Sequence, residues 1–189
     1  MDLLHRTGAP LARTGLLALE RDGLLDRLAE DVWVPAGTVQ DPRLRASALP
    51  EPPRPELAAS HRTAAWIWWG SGSGRAPAVS EFTTLTRRRV RAARRSSTIY
   101  ERDVPPPERL RIDGLWVTSP ERTLFDLLRL CRESAEPLSL ARERCARVPA
   151  GDRLRFVRWL DGMRRRPHVA HVRALALAAF AESAQPLTR

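Results

Sequence analysis

A chain of 189 residues is long enough for one ordinary domain or two small ones. No apolar run approaches the ~18 residues that a membrane helix needs, and the first residues lack the pattern of a signal peptide. Two cysteines, Cys131 and Cys145, are too few for a disulfide-stapled secreted scaffold. We therefore expect a cytoplasmic protein rather than a membrane-spanning or disulfide-rich one.

The formal net charge of +10 comes entirely from arginine, because the chain contains no lysine. The absence of lysine and asparagine is itself typical of GC-rich codon usage. The charge is uneven: residues 1–50 carry six arginines and seven acidic residues, whereas residues 137–189 carry eleven arginines and four acidic residues. A basic chain predicts an anionic partner, most often nucleic acid.

The N-terminal part, residues 1–48, predicts a small unit of helices and strands. A short helix is expected over residues 2–9, and a second helix stops near Gly23. Residues 24–28 and 32–34 have the composition of two strands joined by a turn. Helix, turn, helix and β-hairpin in this order is the outline of a winged helix-turn-helix, either complete or truncated.

Residues 49–189 predict a mixed α/β domain with a helical tail at 137–182, so the fold class is α+β. The proline-rich stretch 50–55 indicates a linker. The remaining elements, in chain order, are a helix after Ser60, strands at 79–85 and 98–101, a hairpin at 109–117 around Asp113-Gly114, a helix after Ser119, and tail helices at about 138–148, 151–163 and 168–182.

A dense cationic cluster is the first candidate site. It contains six arginines in nine residues and no acidic residue: Arg87, Arg88, Arg89, Arg91, Arg94 and Arg95. Such a segment can follow a nucleic-acid backbone or enter a minor groove, and an ordinary solvated surface is the alternative. Arg164, Arg165 and Arg166 form a smaller version of the same pattern.

A second candidate site lies on the predicted helix before Gly23. Arg13, Thr14 and Arg21 would face the major groove if this is a recognition helix. The acidic residues nearby, Glu20, Asp22, Glu30 and Asp31, weaken the expected attraction to phosphate.

Three tryptophans, Trp66, Trp68 and Trp69, share one predicted helix. They favour a hydrophobic core or, alternatively, a partner-binding surface. We expect no metal, because His168, His171 and Cys145 lack the ligand number of a structural zinc site. We also expect no cofactor and no enzyme activity, since the sequence contains no recognisable nucleophile–base pair or phosphate-binding loop.

Two segments resemble a known family. Ser60-His61-Arg62-Thr63-Ala64-Ala65-Trp66 and, more specifically, Val117-Thr118-Ser119-Pro120-Glu121-Arg122-Thr123 are similar to the AbiEi-like antitoxins of actinobacterial type IV toxin–antitoxin systems. The stretch 21–36 resembles their winged helix more weakly. The family-like polar residues, His61, Arg62, Thr118, Ser119 and Arg122, are interpreted as structural: Ser60 and Ser119 as helix caps, and Arg122 with Asp126 as an ion pair.

The resemblance implies a transcriptional regulator that binds promoter DNA and neutralises a nucleotidyltransferase-like toxin. Some relatives continue into an endonuclease-like domain, and we expect none in this chain. Two alternatives stay open: a protein-interaction module whose winged helix no longer binds specific DNA, and an accessory relative of nuclease-containing proteins. A homo-oligomer is compatible with each of them.

Overall fold

The computed structural model describes residues 4–8, 11–87, 89, 97–163 and 166–181. These residues form an α+β fold with seven α-helices and two β-sheets. The helices are α1 (Arg13–Arg21), α2 (Pro42–Ala48), α3 (His61–Trp69), α4 (Pro120–Cys131), α5 (Pro137–Cys145), α6 (Ala150–Gly162) and α7 (Val169–Ala181). The strands are β1 (His5–Arg6), β2 (Leu25–Ala29), β3 (Val32–Pro35), β4 (Leu57–Ala59), β5 (Ser80–Thr84), β6 (Ser97–Tyr100), β7 (Arg109–Ile112) and β8 (Leu115–Thr118).

The first sheet is antiparallel, with the strand order β1-β3-β2. The helix predicted over residues 2–9 is wrong where the structure describes it, because His5 and Arg6 pair with β3. So short a stretch, interrupted by Gly8, cannot hold a helix by itself, whereas the edge of β3 offers backbone hydrogen bonds. The next helix ends as predicted, since Gly23 has φ +74° and directs the chain into β2. In the described part of the N-terminal unit a single helix, α1, therefore precedes the β2–β3 hairpin, and the predicted pair of helices is not present there.

The second sheet has five strands in the order β6-β5-β4-β8-β7. The β4–β8 and β5–β6 pairs are parallel, and the other two pairs are antiparallel. The predicted hairpin around Asp113-Gly114 is confirmed, with φ +44° and +83° at these two residues. The sequence pattern predicted neither β4 nor α2.

One hydrophobic cluster joins the two sheets. Leu28 and Val34 of the first sheet belong to the same cluster as Ala59, Phe82 and Val117 of the second. Residues 50–55 form no helix or strand, as expected of the proline-rich stretch. The expected boundary at residues 48 and 49 therefore does not separate two hydrophobic cores.

The helical tail forms a second cluster. Helices α5, α6 and α7 pack with α4 around Phe125, Phe156 and Leu160, and their positions confirm the three predicted tail helices. Among the described helices, none is both long enough and apolar enough to span a bilayer.

Candidate nucleic-acid interface

One face of α1 is exposed and carries all three residues predicted for the major groove. Arg13, Leu17 and Arg21 follow one another at i, i+4 and i+8, and Thr14 lies beside them. Leu16, about 100° around the helix from Leu17, is fully buried in one cluster with Leu25 and Trp33. The helix therefore presents two guanidinium groups, a hydroxyl group and one partly exposed leucine side chain to solvent.

The carboxylate of Glu20 does not belong to this exposed face. It accepts hydrogen bonds from Trp33 Nε1 at 2.8 Å, Arg27 Nε at 2.9 Å and Arg75 Nη2 at 2.5 Å. Burial works to raise the pKa of Glu20, but the hydrogen bonds from Trp33 and Arg27 outweigh it and lower that pKa. Glu20 thus links α1 to the β2–β3 hairpin and to the loop before β5. Its carboxylate forms ion pairs with Arg27 and Arg75 and not with Arg13 or Arg21.

Two other acidic residues do contact the exposed arginines. Arg13 Nε lies 3.5 Å from Asp31 Oδ1, and Arg21 Nε lies 3.5 Å from Asp22 Oδ1. All four side chains are about half exposed or more, so these pairs contribute little to the free energy of unfolding. Glu30 and Asp31, in the turn between β2 and β3, lower the positive potential near Arg13. The side chains of Arg13, Thr14 and Arg21 nevertheless remain exposed to solvent.

The central arginine cluster is described only in part. Arg87 and Arg89 are exposed, and Arg88, Arg91, Arg94 and Arg95 lie outside the described residues. Arg87 follows the C-terminal end of β5, whereas Ser80 at its other end lines a cleft of about 680 Å³ together with Arg13. Arg87 and Ser80 therefore lie at opposite ends of β5, and only the Ser80 end borders the cleft that Arg13 also lines.

The predicted partner surface is wrong for Trp66, which is 1% exposed and packs in the hydrophobic cluster that joins the two sheets. Trp68 and Trp69 are half-buried, and their indole N–H groups donate to Thr118 O at 2.9 Å and Asp152 Oδ2 at 2.7 Å. A single helix can bury three tryptophans in different directions because α3 is flanked by α2, α4 and the sheet. The three side chains connect α3 to its neighbours.

A buried polar cluster surrounds the start of α3. His61 is fully buried with φ +48°, and its ring stacks on Tyr100 with 3.8 Å between ring centroids. Burial lowers the pKa of His61 from its usual 6.5 to about 3, so the ring is neutral near pH 7. Ser60 Oγ contacts His61 Nδ1 at 2.9 Å and accepts from Thr83 Oγ1 at 2.8 Å.

The predicted side-chain cap by Ser60 is therefore wrong. Its hydroxyl group is used by His61 and Thr83, and it caps no backbone N–H group of α3. The carboxylate of Glu81 replaces it, since Glu81 Oε2 accepts from the backbone N–H of Arg62 at 2.7 Å. The cap comes from a neighbouring strand, which sequence spacing alone could not reveal.

The polar residues at the start of α4 behave as predicted. Ser119 Oγ accepts from the backbone N–H of Arg122 at 3.2 Å, and Arg122 Nε donates to Asp126 Oδ2 at 2.7 Å. Arg122 Nη1 also donates to Glu108 Oε2 at 2.5 Å. Burial opposes the charge of Arg122, but Asp126 and Glu108 outweigh it and raise its pKa.

Glu108 extends this ion-pair network to the tail. Arg166 donates to both carboxylate oxygens of Glu108, at 2.6 and 3.0 Å, and lies 4.5 Å from the centroid of the Phe125 ring. Arg166 is therefore a structural residue, contrary to the interpretation of Arg164 to Arg166 as a small cationic patch. Arg164 and Arg165 lie outside the described residues.

Within the described ranges, no group of three or more histidine, cysteine or acidic side chains could hold a metal ion. His168 Nδ1 lies 3.0 Å from Arg132 Nη1, and burial raises the pKa of the Cys145 thiol to about 12.

Comparison of the chain with protein-family models and with curated proteins gave no match.

Proposed function

We propose that this chain is a DNA-binding transcriptional regulator of the AbiEi-like antitoxin type, with a reduced winged helix at its N-terminus. The observation that carries the proposal is the exposed face of α1, where Arg13, Thr14 and Arg21 stand together. The helix leads directly into the β2–β3 hairpin of a sheet ordered β1-β3-β2. In this proposal α1 enters the major groove and the hairpin serves as the wing.

Arg87 and Arg89 supply the sequence-independent part of the affinity in this proposal. They are exposed, and among the described residues neither forms an ion pair with a carboxylate. Such cations bind phosphate with release of counterions from DNA. The burial of Trp66 and the internal hydrogen bonds of Trp68 and Trp69 weigh against the alternative of a purely protein-binding module. A nucleotidyltransferase-like toxin is the proposed protein partner.

Replacing both Arg13 and Arg21 by alanine is expected to abolish sequence preference. An arginine that reads a base contributes about 1–3 kcal/mol of discrimination, so each of the two replacements should reduce the preference by about five- to 150-fold. The measurement is fluorescence anisotropy on the DNA upstream of the gene and on a scrambled duplex, across a salt series. Arg158→Ala on α6 is the matched control, since Arg158 is also exposed. Equal binding of both duplexes by the wild-type chain would contradict the proposal.

Replacing Arg87, Arg88 and Arg89 together by alanine should instead weaken binding to both duplexes by a similar factor. The salt dependence of the affinity should become shallower by about one for each arginine that binds a phosphate in the wild-type chain. The same anisotropy series measures both quantities. An unchanged affinity at low salt would exclude this segment as a phosphate-binding site.

A further inference from the structure

Two arginines flank a tryptophan on one face of the second sheet. Arg111 pairs directly with Trp116 across the β7–β8 ladder, and Arg109 pairs with the neighbouring Thr118. Paired residues lie on the same face of a sheet, and so do residues two apart along a strand. The Cζ atoms of Arg109 and Arg111 lie 5.1 and 5.6 Å from the centroid of the Trp116 ring, within the range of cation–π attraction.

This surface adjoins the start of the central arginine cluster. Arg109 Nη1 donates to Val104 O at 3.0 Å and to Leu85 O at 3.4 Å, and Leu85 is two residues before Arg87. Arg111 is exposed, and β7 is the edge strand of its sheet. Arg109 therefore connects the face that carries Arg111 to the chain segment that leads into Arg87.

The charge of this surface is not neutralised locally. Within the described part of the chain, no ion pair joins Arg109 or Arg111 to a carboxylate. The contact with Trp116 orients the guanidinium groups but leaves their charge intact, which lowers the entropic cost of binding an anion. A surface of this kind matches a polyanion better than a neutral or cationic partner.

The two guanidinium groups are held close together on this face. Strand geometry places the Cα atoms of Arg109 and Arg111 about 6.7 Å apart. Both Cζ atoms lie over the same indole ring, at 5.1 and 5.6 Å from its centroid. Closely spaced cations suit a backbone that carries one negative charge per nucleotide.

We propose that Arg109 and Arg111, oriented by Trp116, bind the phosphate backbone of DNA and continue the contact made by Arg87 and Arg89. The inference rests on the proposed function, and it adds a second binding element from the sheet. These contacts carry no sequence information, so they set affinity and register on the duplex while α1 provides the base contacts.

The test compares three full-length variants, Arg111→Ala, Trp116→Leu and the control Arg158→Ala, by fluorescence anisotropy on the native and scrambled duplexes. Arg111→Ala should weaken binding to both duplexes by about three- to tenfold and reduce the salt slope by about one. Trp116→Leu should weaken both by a smaller factor, because the arginines stay but are no longer held in one orientation. Arg158→Ala should bind as the wild-type chain does. Circular dichroism of each variant establishes that it is folded.

The outcomes separate this inference from the proposed function. If Arg111→Ala binds with unchanged affinity and salt slope while Arg13→Ala/Arg21→Ala loses sequence preference, the proposed role of the sheet is wrong and the regulator proposal stands. If the wild-type chain binds neither duplex, both are wrong. If polyglutamate competes as effectively as DNA and Arg111→Ala weakens both alike, the surface binds an acidic protein segment, and the assignment to nucleic acid is overturned.

Discussion

The Arg122→Met variant is expected to lose about 3–5 kcal/mol of its free energy of unfolding. Arg122 is 2% exposed, and its guanidinium group lies between the carboxylates of Asp126 and Glu108. It also donates to the backbone carbonyl of Asp103 at 3.0 Å. Removing the cation leaves buried carboxylates without their charge partner. The resulting loss in the free energy of unfolding is far larger than the net stability that the intact ion pair contributes.

Urea unfolding at neutral pH measures this loss, and Arg155→Met is the matched control. Arg155 also pairs with two carboxylates, those of Asp152 and Glu121, but it is exposed at the surface. Its replacement should change the free energy of unfolding by about 1 kcal/mol or less. A double variant, Arg122→Met with Asp126→Leu, should recover part of the loss because it removes one of the stranded charges. A loss below about 1 kcal/mol for Arg122→Met would show that the network is not buried as described.

His61 is expected to make the protein less stable as the pH falls below 6.5. Burial holds its pKa near 3 in the folded state, whereas in the unfolded chain it returns to about 6.5. Between these two values the unfolded chain binds one more proton than the folded protein. The contribution of His61 to stability is therefore complete above pH 6.5 and is lost on acidification by about 1.4 kcal/mol per pH unit.

Urea unfolding of the wild-type chain and of His61→Asn at pH 7, 6 and 5 tests this expectation. Asparagine tolerates the positive φ at this position and does not titrate. The variant should be less stable at pH 7, because its side chain cannot stack on Tyr100, and the difference should shrink as the pH falls. His168→Asn is the control, since His168 also has positive φ but is exposed. Parallel pH profiles for wild type and His61→Asn would rule out a buried neutral histidine.

Local sequence signals predicted the elements that depend on local interactions. Ser119 followed by Pro120 defined the start of α4, and Asp113-Gly114 defined the β7–β8 hairpin. The pairing of Arg122 with Asp126 followed from helical spacing. These features need no information from elsewhere in the chain, because capping, turn conformation and i,i+4 contacts are set by neighbouring residues.

Features that depend on distant residues could not be predicted in the same way. Strand β4 consists of one leucine and two alanines, and it becomes a central strand only because β5 and β8 flank it. Among the candidate site residues, the exposure of Arg13 and Arg21 agreed with the predicted helix face. The surface around Trp116 was not predicted, because residues 109–117 were interpreted as a hairpin without a binding role. The alternation of Arg109 and Arg111 along one strand could have indicated that both arginines lie on the same face.

The hydrophobic cluster shared by the two sheets couples the stability of the N-terminal unit to that of the second sheet. Leu28 and Val34 lose their packing partners if the chain is cut or recombined at residues 50–55, and so do Ala59 and Val117. We therefore expect the N-terminal unit to lose stability when it is separated from the second sheet, although a proline-rich stretch follows it. If the proposed function holds, substitutions that alter which DNA is bound are expected on the exposed face of α1, where side chains can vary without disturbing that core.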